Sequence, residues 1–321
     1  MRDQLFIRFG VLPAVAAEGE AHHVSWLRVT RSGPVEGVRR GPLQEAATVA
    51  GGYQVIVLVP GSDVLLTAVA VPSQNRQRIA RAVPFALEEK LGSEIEQLHF
   101  ALGAHGQDNQ IATAVVDRTR MSAWLEHLRA AGLQPDIVVA ETLALPFKPE
   151  TWFVLNEALG ATVRTGPQSG LAVDSENLDV LLTMAVAEAA DNKPDQIHII
   201  DCTANPLLLA DMRAAEPELE ITREVYKDEP LFLLARGFDE KQAINLLQGD
   251  YSLREQIGKL WRPWRTAIAL LSAWLILQGG MAVAEVSRLN RQAQELQPQI
   301  EQIYRKAFPA TGTRKLVNPR V

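Results

Sequence analysis

The sequence predicts an α/β protein of two related halves, followed by one membrane-crossing helix and a short helix beyond it. Three observations carry this prediction. Apolar strand candidates and amphipathic helices alternate through residues 1–236 in an order that occurs twice. Residues 266–284 then run for 19 positions without a charge. After that run, apolar residues recur at alternating spacings of three and four. With 47% apolar and 22% charged residues in 321, the composition is that of a folded chain with more than one core.

In the first half, strands are predicted at 5–9, 24–30, 55–59 and 64–71, ahead of a helix over 74–91. Strands at 98–102 and 111–117, a helix at 121–131 and a strand at 137–140 follow. The helix puts Ile79, Val83, Leu87 and Leu91 on one face, with Arg78, Arg81, Glu88 and Glu89 largely elsewhere, so core packing under a solvated outer face accounts for it. Pro84 lacks an amide hydrogen and predicts a kink or restart there.

The second half gives strands at 152–155, 161–164 and 171–174, a helix at 178–190 and a strand at 196–201. A helix at 206–215, a strand at 221–226 and a helix at 231–236 complete it. Three strands followed by helix, strand, helix and strand is one half of the actin-like, ribonuclease H-like architecture. Residues 1–251 are therefore expected to form a duplicated domain of that kind, with halves of roughly 1–150 and 151–251.

Residues 252–265 form a basic juxtamembrane linker, and the run 266–284, at about 1.5 Å per residue, is roughly 28 Å long and matches a bilayer core. Trp261 and Trp264 supply interface anchors. Arg254, Lys259, Arg262 and Arg265 precede the span and only Arg288 and Arg291 follow closely, which places the N-terminal domain in the cytosol and the C-terminal side in the periplasm. The lone Cys202 and the absence of a basic-then-apolar N-terminus agree with a reducing compartment for the main domain.

Charge is divided just as unevenly. Residues 1–251 hold 21 Lys plus Arg and 34 Asp plus Glu, a net of −13, whereas residues 252–321 hold 11 and 4, a net of +7. An acidic main domain repels polyphosphate, so nucleic acid is not an expected partner and a basic protein surface is.

Beyond the span, Val286, Leu289, Ala293, Leu296, Ile300, Ile303 and Ala307 form a heptad seam over a periplasmic helix at 285–307. At the same phase the seam continues back through Ala282, Gly279, Leu275 and Ser272, where small residues permit close helix approach. This predicts a coiled-coil-like pairing, as a homodimer or with a similar helix. Pro298 costs one backbone hydrogen bond mid-seam, so pairing is expected to weaken past Gln297. Residues 308–321, rich in Pro, Gly and Thr, are expected to be a linker to a further periplasmic domain.

Two stretches are distinctive: Arg81-Ala-Val-Pro-Phe-Ala-Leu-Glu-Glu-Lys-Leu91, and Ile244-Asn-Leu-Leu-Gln-Gly-Asp-Tyr251 directly ahead of the membrane segment. Both resemble the L protein of bacterial type II secretion systems, and so does the order of parts along the whole chain. The resemblance implies a non-catalytic inner-membrane platform subunit that binds the secretion ATPase E through its cytosolic domain. Its implied membrane partners are the bitopic M protein and the multispanning F protein.

No catalytic, metal or cofactor residues are expected. An actin-like ATPase needs an acidic residue and a glycine-bearing turn in the first hairpin of each half, because Mg²⁺ wants carboxylates and phosphates want close amides. The first half offers Arg8-Phe9-Gly10-Val11 without a carboxylate, and the second offers Asn156-Glu157-Ala158-Leu159-Gly160, with Glu157 beside the turn. Asp201-Cys202-Thr203 stands where such folds put a glycine pair. No GxxxxGK[ST] or GxGxxG motif occurs, and Arg164-Thr-Gly-Pro-Gln-Ser-Gly170 reads as a hairpin turn. His22, His23, His99, His105, His127 and His198 lack ligand spacing. A membrane-anchored actin-like ATPase is opposed by these turns. A single-pass signalling protein would need a sensory domain after the span, for which about 37 residues are too few.

Overall fold

The computed structural model describes residues 3–10, 23–30, 33–106, 109–189, 192–203 and 209–307. The chain divides into two units, Met1–Leu253 and Arg254–Val321. The first holds three sheets, and its apolar cores close within it, so it carries its own hydrophobic interior.

The first half opens with β1 (Gln4–Phe9), β2 (His23–Thr30), β3 (Gly33–Pro34) and β4 (Arg39–Pro42), then α1 (Leu43–Thr48) and β5 (Gln54–Val59). Its last strand is β9 (Ile137–Ala140), and the sheet runs β3-β2-β1-β5-β9 with β4 also paired to β2. β1 is antiparallel to β2 and parallel to β5, and β5 is parallel to β9. Val55 to Val59 are all buried, so the alternation expected of a half-exposed strand is replaced by the continuous apolar run of a strand covered on both faces.

The second half repeats the order with β10 (Thr151–Glu157), β11 (Gly160–Arg164), β12 (Gly170–Val173), α4 (Leu178–Glu188), β13 (Gln196–Asp201), α5 (Ala210–Ala215), β14 (Glu220–Val225) and α6 (Pro230–Gly237). The sheet runs β12-β11-β10-β13-β14, antiparallel on one side of β10 and parallel on the other. Two sheets of this order make the duplicated actin-like fold. The part of the 206–215 helix prediction over 206–208 lies outside the described residues, as do His22, residue 190 of the predicted 178–190 helix, and the predicted 308–321 linker.

The halves differ by an insertion. Between β5 and β9 the chain makes β6 (Val64–Ala70), α2 (Arg76–Leu87), β7 (Leu98–His105) and β8 (Gln110–Asp117), then α3 (Arg118–Ala130). β6, β8 and β7 form a separate antiparallel sheet, covered by α2 through Ile79, Val83 and Leu87. The Asn75 side chain caps α2 by accepting from the amides of Gln77 (2.9 Å) and Arg78 (3.2 Å), which starts the helix two residues after the predicted position. Pro84 lies in its last turn, after which the chain tightens to a 3-10 turn at Glu88–Lys90. In the second unit, α7 (Leu253–Ala307) is a single 55-residue helix, about 80 Å at 1.5 Å per residue. Of the basic juxtamembrane linker expected at 252–265, residues 253–265 are helical, and Pro298 is contained within α7.

Candidate functional site

Two places in the first unit concentrate polar chemistry: the cleft between the halves and the segment that leaves toward α7. In the cleft, Arg8 near the end of β1 meets Glu157 at the end of β10, although they are 149 residues apart. The Arg8 guanidinium donates from Nε to Glu141 Oε2 at 2.7 Å and from Nη1 to Glu157 Oε1 at 2.9 Å, with Nη2 on the second Glu157 oxygen. Glu141 opens the 3-10 turn after β9 and uses its other oxygen to accept from the Gly61 amide at 3.2 Å. Burial works against the Arg8 charge, but the two carboxylates outweigh it and hold its pKa above the ordinary arginine value. The sequence showed no carboxylate in the first hairpin; it did not show that a cation from that strand would bridge both halves.

Deeper along the cleft, Asp201 at the end of β13 is fully buried. It accepts from Thr203 N (2.9 Å), Thr203 Oγ1 (2.7 Å) and Asn156 Nδ2 (3.1 Å), and pairs with Arg223 at 2.6 Å. Burial pushes its carboxyl up, and these donors together hold it below the usual 3.8. The adjoining Cys202 thiol is pushed up to about 11, first by burial and then by Glu157 and Asp201. The cleft beside Arg8, Glu141 and Glu157 has a volume of about 780 Å³, and Glu229, which also lines it, is paired with Arg40 at 2.5 Å.

These residues do not fit a magnesium nucleotide. Glu141 and Glu157 are taken by the Arg8 guanidinium, and a buried, saturated aspartate, Asp201, replaces the glycine pair. Among the described residues no group of three His, Cys, Asp or Glu could hold a metal. His99 lies in the exit segment described next, His105 is exposed on β7, His127 is on α3, and His198 Nδ1 meets Thr222 Oγ1 at 2.8 Å. The 164–170 stretch is the β11–β12 turn, closed by Thr165 N to Ser169 O. Its Arg164 is buried and donates to the carbonyls of Leu143, Leu145, Gly166 and Pro167, and burial lowers its pKa to about 10.

The exit segment, Ile244 to Tyr251, is a strap across two sheets. The Leu246 amide donates to Val138 O (2.7 Å), and the Asn245 side chain accepts from Val138 N (3.1 Å) and donates to Asp136 O (3.2 Å), so the strap lies along the β9 edge. Gln248 then pairs with Leu102 of the inserted sheet, accepting from its amide at 3.2 Å and donating to its carbonyl at 3.0 Å. His99 is buried beneath and donates from Nε2 to Leu246 O at 2.7 Å, its ring edge-on to Tyr251 at 4.8 Å. Burial lowers the His99 pKa, the Leu246 carbonyl opposes this, and nearby Arg118 adds to it. Gly249, at φ +53°, turns the chain where a side chain would be strained. The sequence marked this stretch as distinctive without indicating what it fastens.

A duplicated actin-like domain with an ion-paired cleft, ahead of one described helix long and apolar enough to cross a bilayer, defines a membrane-linked protein of the actin-like fold class. That helix is Leu270–Gln292 by hydropathy, overlapping the charge-free run at 270–284. Comparison with known proteins gives the family. The sequence model of type II secretion system protein L matches residues 17–254, and that of the GspL transmembrane domain matches 260–321. The chain is 29% identical over 284 residues to type II secretion system protein L of Dickeya chrysanthemi, covering 87% of this chain and 65% of that one. It is 30% identical over 265 residues to the Klebsiella pneumoniae protein of that name, covering 83% and 61%. This chain thus spans less than two thirds of the length of these relatives. The solved cytoplasmic domain of EpsL, an inner-membrane component of the Vibrio cholerae type II secretion system, superposes with a TM-score of 0.62 at 22% identity, covering 78% of this chain and 100% of that one. The chain belongs to the type II secretion system protein L family, a component of the inner-membrane platform.

Proposed function

We propose that this chain is a non-catalytic adaptor that anchors the cytosolic secretion ATPase to the inner-membrane platform and passes its movements to membrane components. The carrying observation is the strap. A tether holds load only if it is fixed to something that does not unfold locally, and the last residues before α7 are hydrogen-bonded to β9 and to β7 at once. The cleft supports the same reading, because its Arg8–Glu141–Glu157 contacts tie the halves together where an ATPase would open and close around nucleotide.

In this reading residues 1–251 are cytosolic, 252–265 adjoin the membrane, 266–284 cross it and 285–307 are periplasmic, with the bitopic M and multispanning F proteins as membrane partners. Calorimetry of fragment 1–251 with Mg-ATP is expected to show no binding, and micromolar affinity would overturn the non-catalytic assignment. The same fragment is expected to retain the ATPase's N-terminal region at low salt and release it at high salt, since its net −13 favours a basic partner.

A further inference from the structure

The outward side of α4 is apolar where a surface helix should be polar. Val180, Leu181 and Met184 are 50%, 38% and 53% exposed, and Leu159, in the β10–β11 turn, is 75% exposed. The opposite side of the helix, Leu178, Leu182 and Val186, fills the core, so α4 has apolar side chains on both faces. Leu159 and Leu181 line the same cleft, which makes the exposed stripe continuous with a groove. An exposed apolar stripe beside a groove is an interaction surface in proteins that remain soluble.

The charges around it select the occupant. Between Arg164 and Lys193 the sequence has no Lys or Arg, and it has five carboxylates, Asp174, Glu176, Asp179, Glu188 and Asp191. Asp174, Glu176 and Glu188 are exposed around the stripe. We infer that this face docks a basic amphipathic helix of a partner protein, its apolar stripe laid on Leu181 and Met184 and its Lys or Arg residues over the carboxylates. The same rim repels an anionic membrane surface and a second copy of itself. α4, at 11 residues, presents about 16 Å, enough for three turns of a partner helix. This inference does not depend on the adaptor reading, since it concerns what chemistry the face accepts rather than which machine uses it.

Fluorescence anisotropy with fragment 1–251 tests it. The probe is a labelled peptide of about 18 residues, long enough to be helical, with Leu at i, i+3, i+4 and i+7 and Lys elsewhere. Its controls are a scrambled peptide of the same composition and a peptide with Glu in place of Lys. The basic helix is expected to bind and the two controls are not. Leu181→Lys and Met184→Lys, both at exposed positions, are expected to weaken binding about tenfold or more, as is Glu176→Lys, while Phe85→Lys on α2 leaves it unchanged. Equal binding of the scrambled peptide, no binding of the basic helix, or undiminished binding by the α4 variants would each overturn the inference. Concentration-dependent self-association that Met184→Lys abolishes would also overturn it, by assigning the face to a second copy.

Discussion

At the scale of single residues, the cleft is a set of charges that satisfy one another. Arg8 finds Glu141 and Glu157 at separations of 133 and 149 residues, so no local pattern could reveal the triad. What the sequence did show was the negative half of it, a first hairpin with an arginine where a carboxylate was needed. Asp201 can be tested directly. Its folded carboxyl titrates below 3.8, so its contribution to stability is intact above that value and is lost as the pH falls through the folded pKa. Asp201→Asn leaves Arg223 without its buried partner and is expected to cost about 2 kcal/mol in urea denaturation of fragment 1–251 at pH 7. The gap from wild type should hold down to about pH 4 and narrow below it; a gap that stayed constant to pH 2.5 would mean that the charge was irrelevant. Beside it, Cys202 with a pKa of about 11 holds little thiolate at pH 8, so alkylation should run roughly a hundredfold slower than for free cysteine and recover on unfolding. A native rate equal to that of free cysteine would contradict the burial and the carboxylate field around the thiol.

At the scale of elements, the second half was legible nearly strand by strand, because β10 to β14 and α4 are short apolar runs separated by polar or glycine-bearing turns and lie in chain order. In the first half the strand expected at 64–71 is β6, which joins β7 and β8 in the inserted sheet; apolar alternation shows a strand but not which sheet it joins. α1 went unread because six residues, Leu43–Thr48, are too few to show a helical period. The strap joins the inserted sheet to the main one, and Gln248 is its most connected side chain, bonded to both backbone groups of Leu102, to Asn245 O (2.9 Å) and to Arg76 (3.1 Å). Gln248→Ala should raise amide exchange at Leu102 and across 245–251 by roughly tenfold, from about 1.4 kcal/mol of lost local bonding, with little change in global stability. His99 adds a pH dependence. Burial disfavours the charged ring and holds its folded pKa below 6.5, so the contribution of neutral His99 beneath the strap is present above that value and is lost as the pH falls through the folded pKa. Protection factors over 245–251 should therefore fall in mildly acidic buffer, and His99→Gln, which can still donate to Leu246, should remove the dependence. Exchange confined to global unfolding at every pH would show that the strap has no local opening of its own.

At the scale of the whole chain, the long helix raises the question of what covers it. Val286, Leu289, Leu296, Ile300 and Ile303 are all more than half exposed along α7, and with Ala293 and Ala307 they keep alternating steps of three and four. An isolated helix in water would gain nothing from that regularity, whereas two helices wound together would bury every one of these residues. Within the apolar run the same phase falls on Ser272, Leu275, Gly279 and Ala282. Ser272 donates to Ile268 O at 2.8 Å, so its hydroxyl is satisfied inside its own helix and leaves a small side chain at the seam. Because α7 is unbroken from Leu253 to Ala307, a seam set in the membrane would carry the same register outward as far as Pro298 and, where the proline is tolerated, beyond it. The expected geometry is a parallel pair, either two copies or this helix with a similar one on the M protein. Single cysteines at Leu289 and Leu296, introduced in a Cys202→Ser background, should form disulfides in membranes, since d positions of a parallel pair bring Cα atoms within the roughly 4.4–6.8 Å that the bond requires. A cysteine at Arg291, two residues on and facing away, should remain free. Crosslinking at Leu289 without Leu296 would place the end of the pair before the proline, and equal crosslinking at all three positions would show that no fixed seam exists.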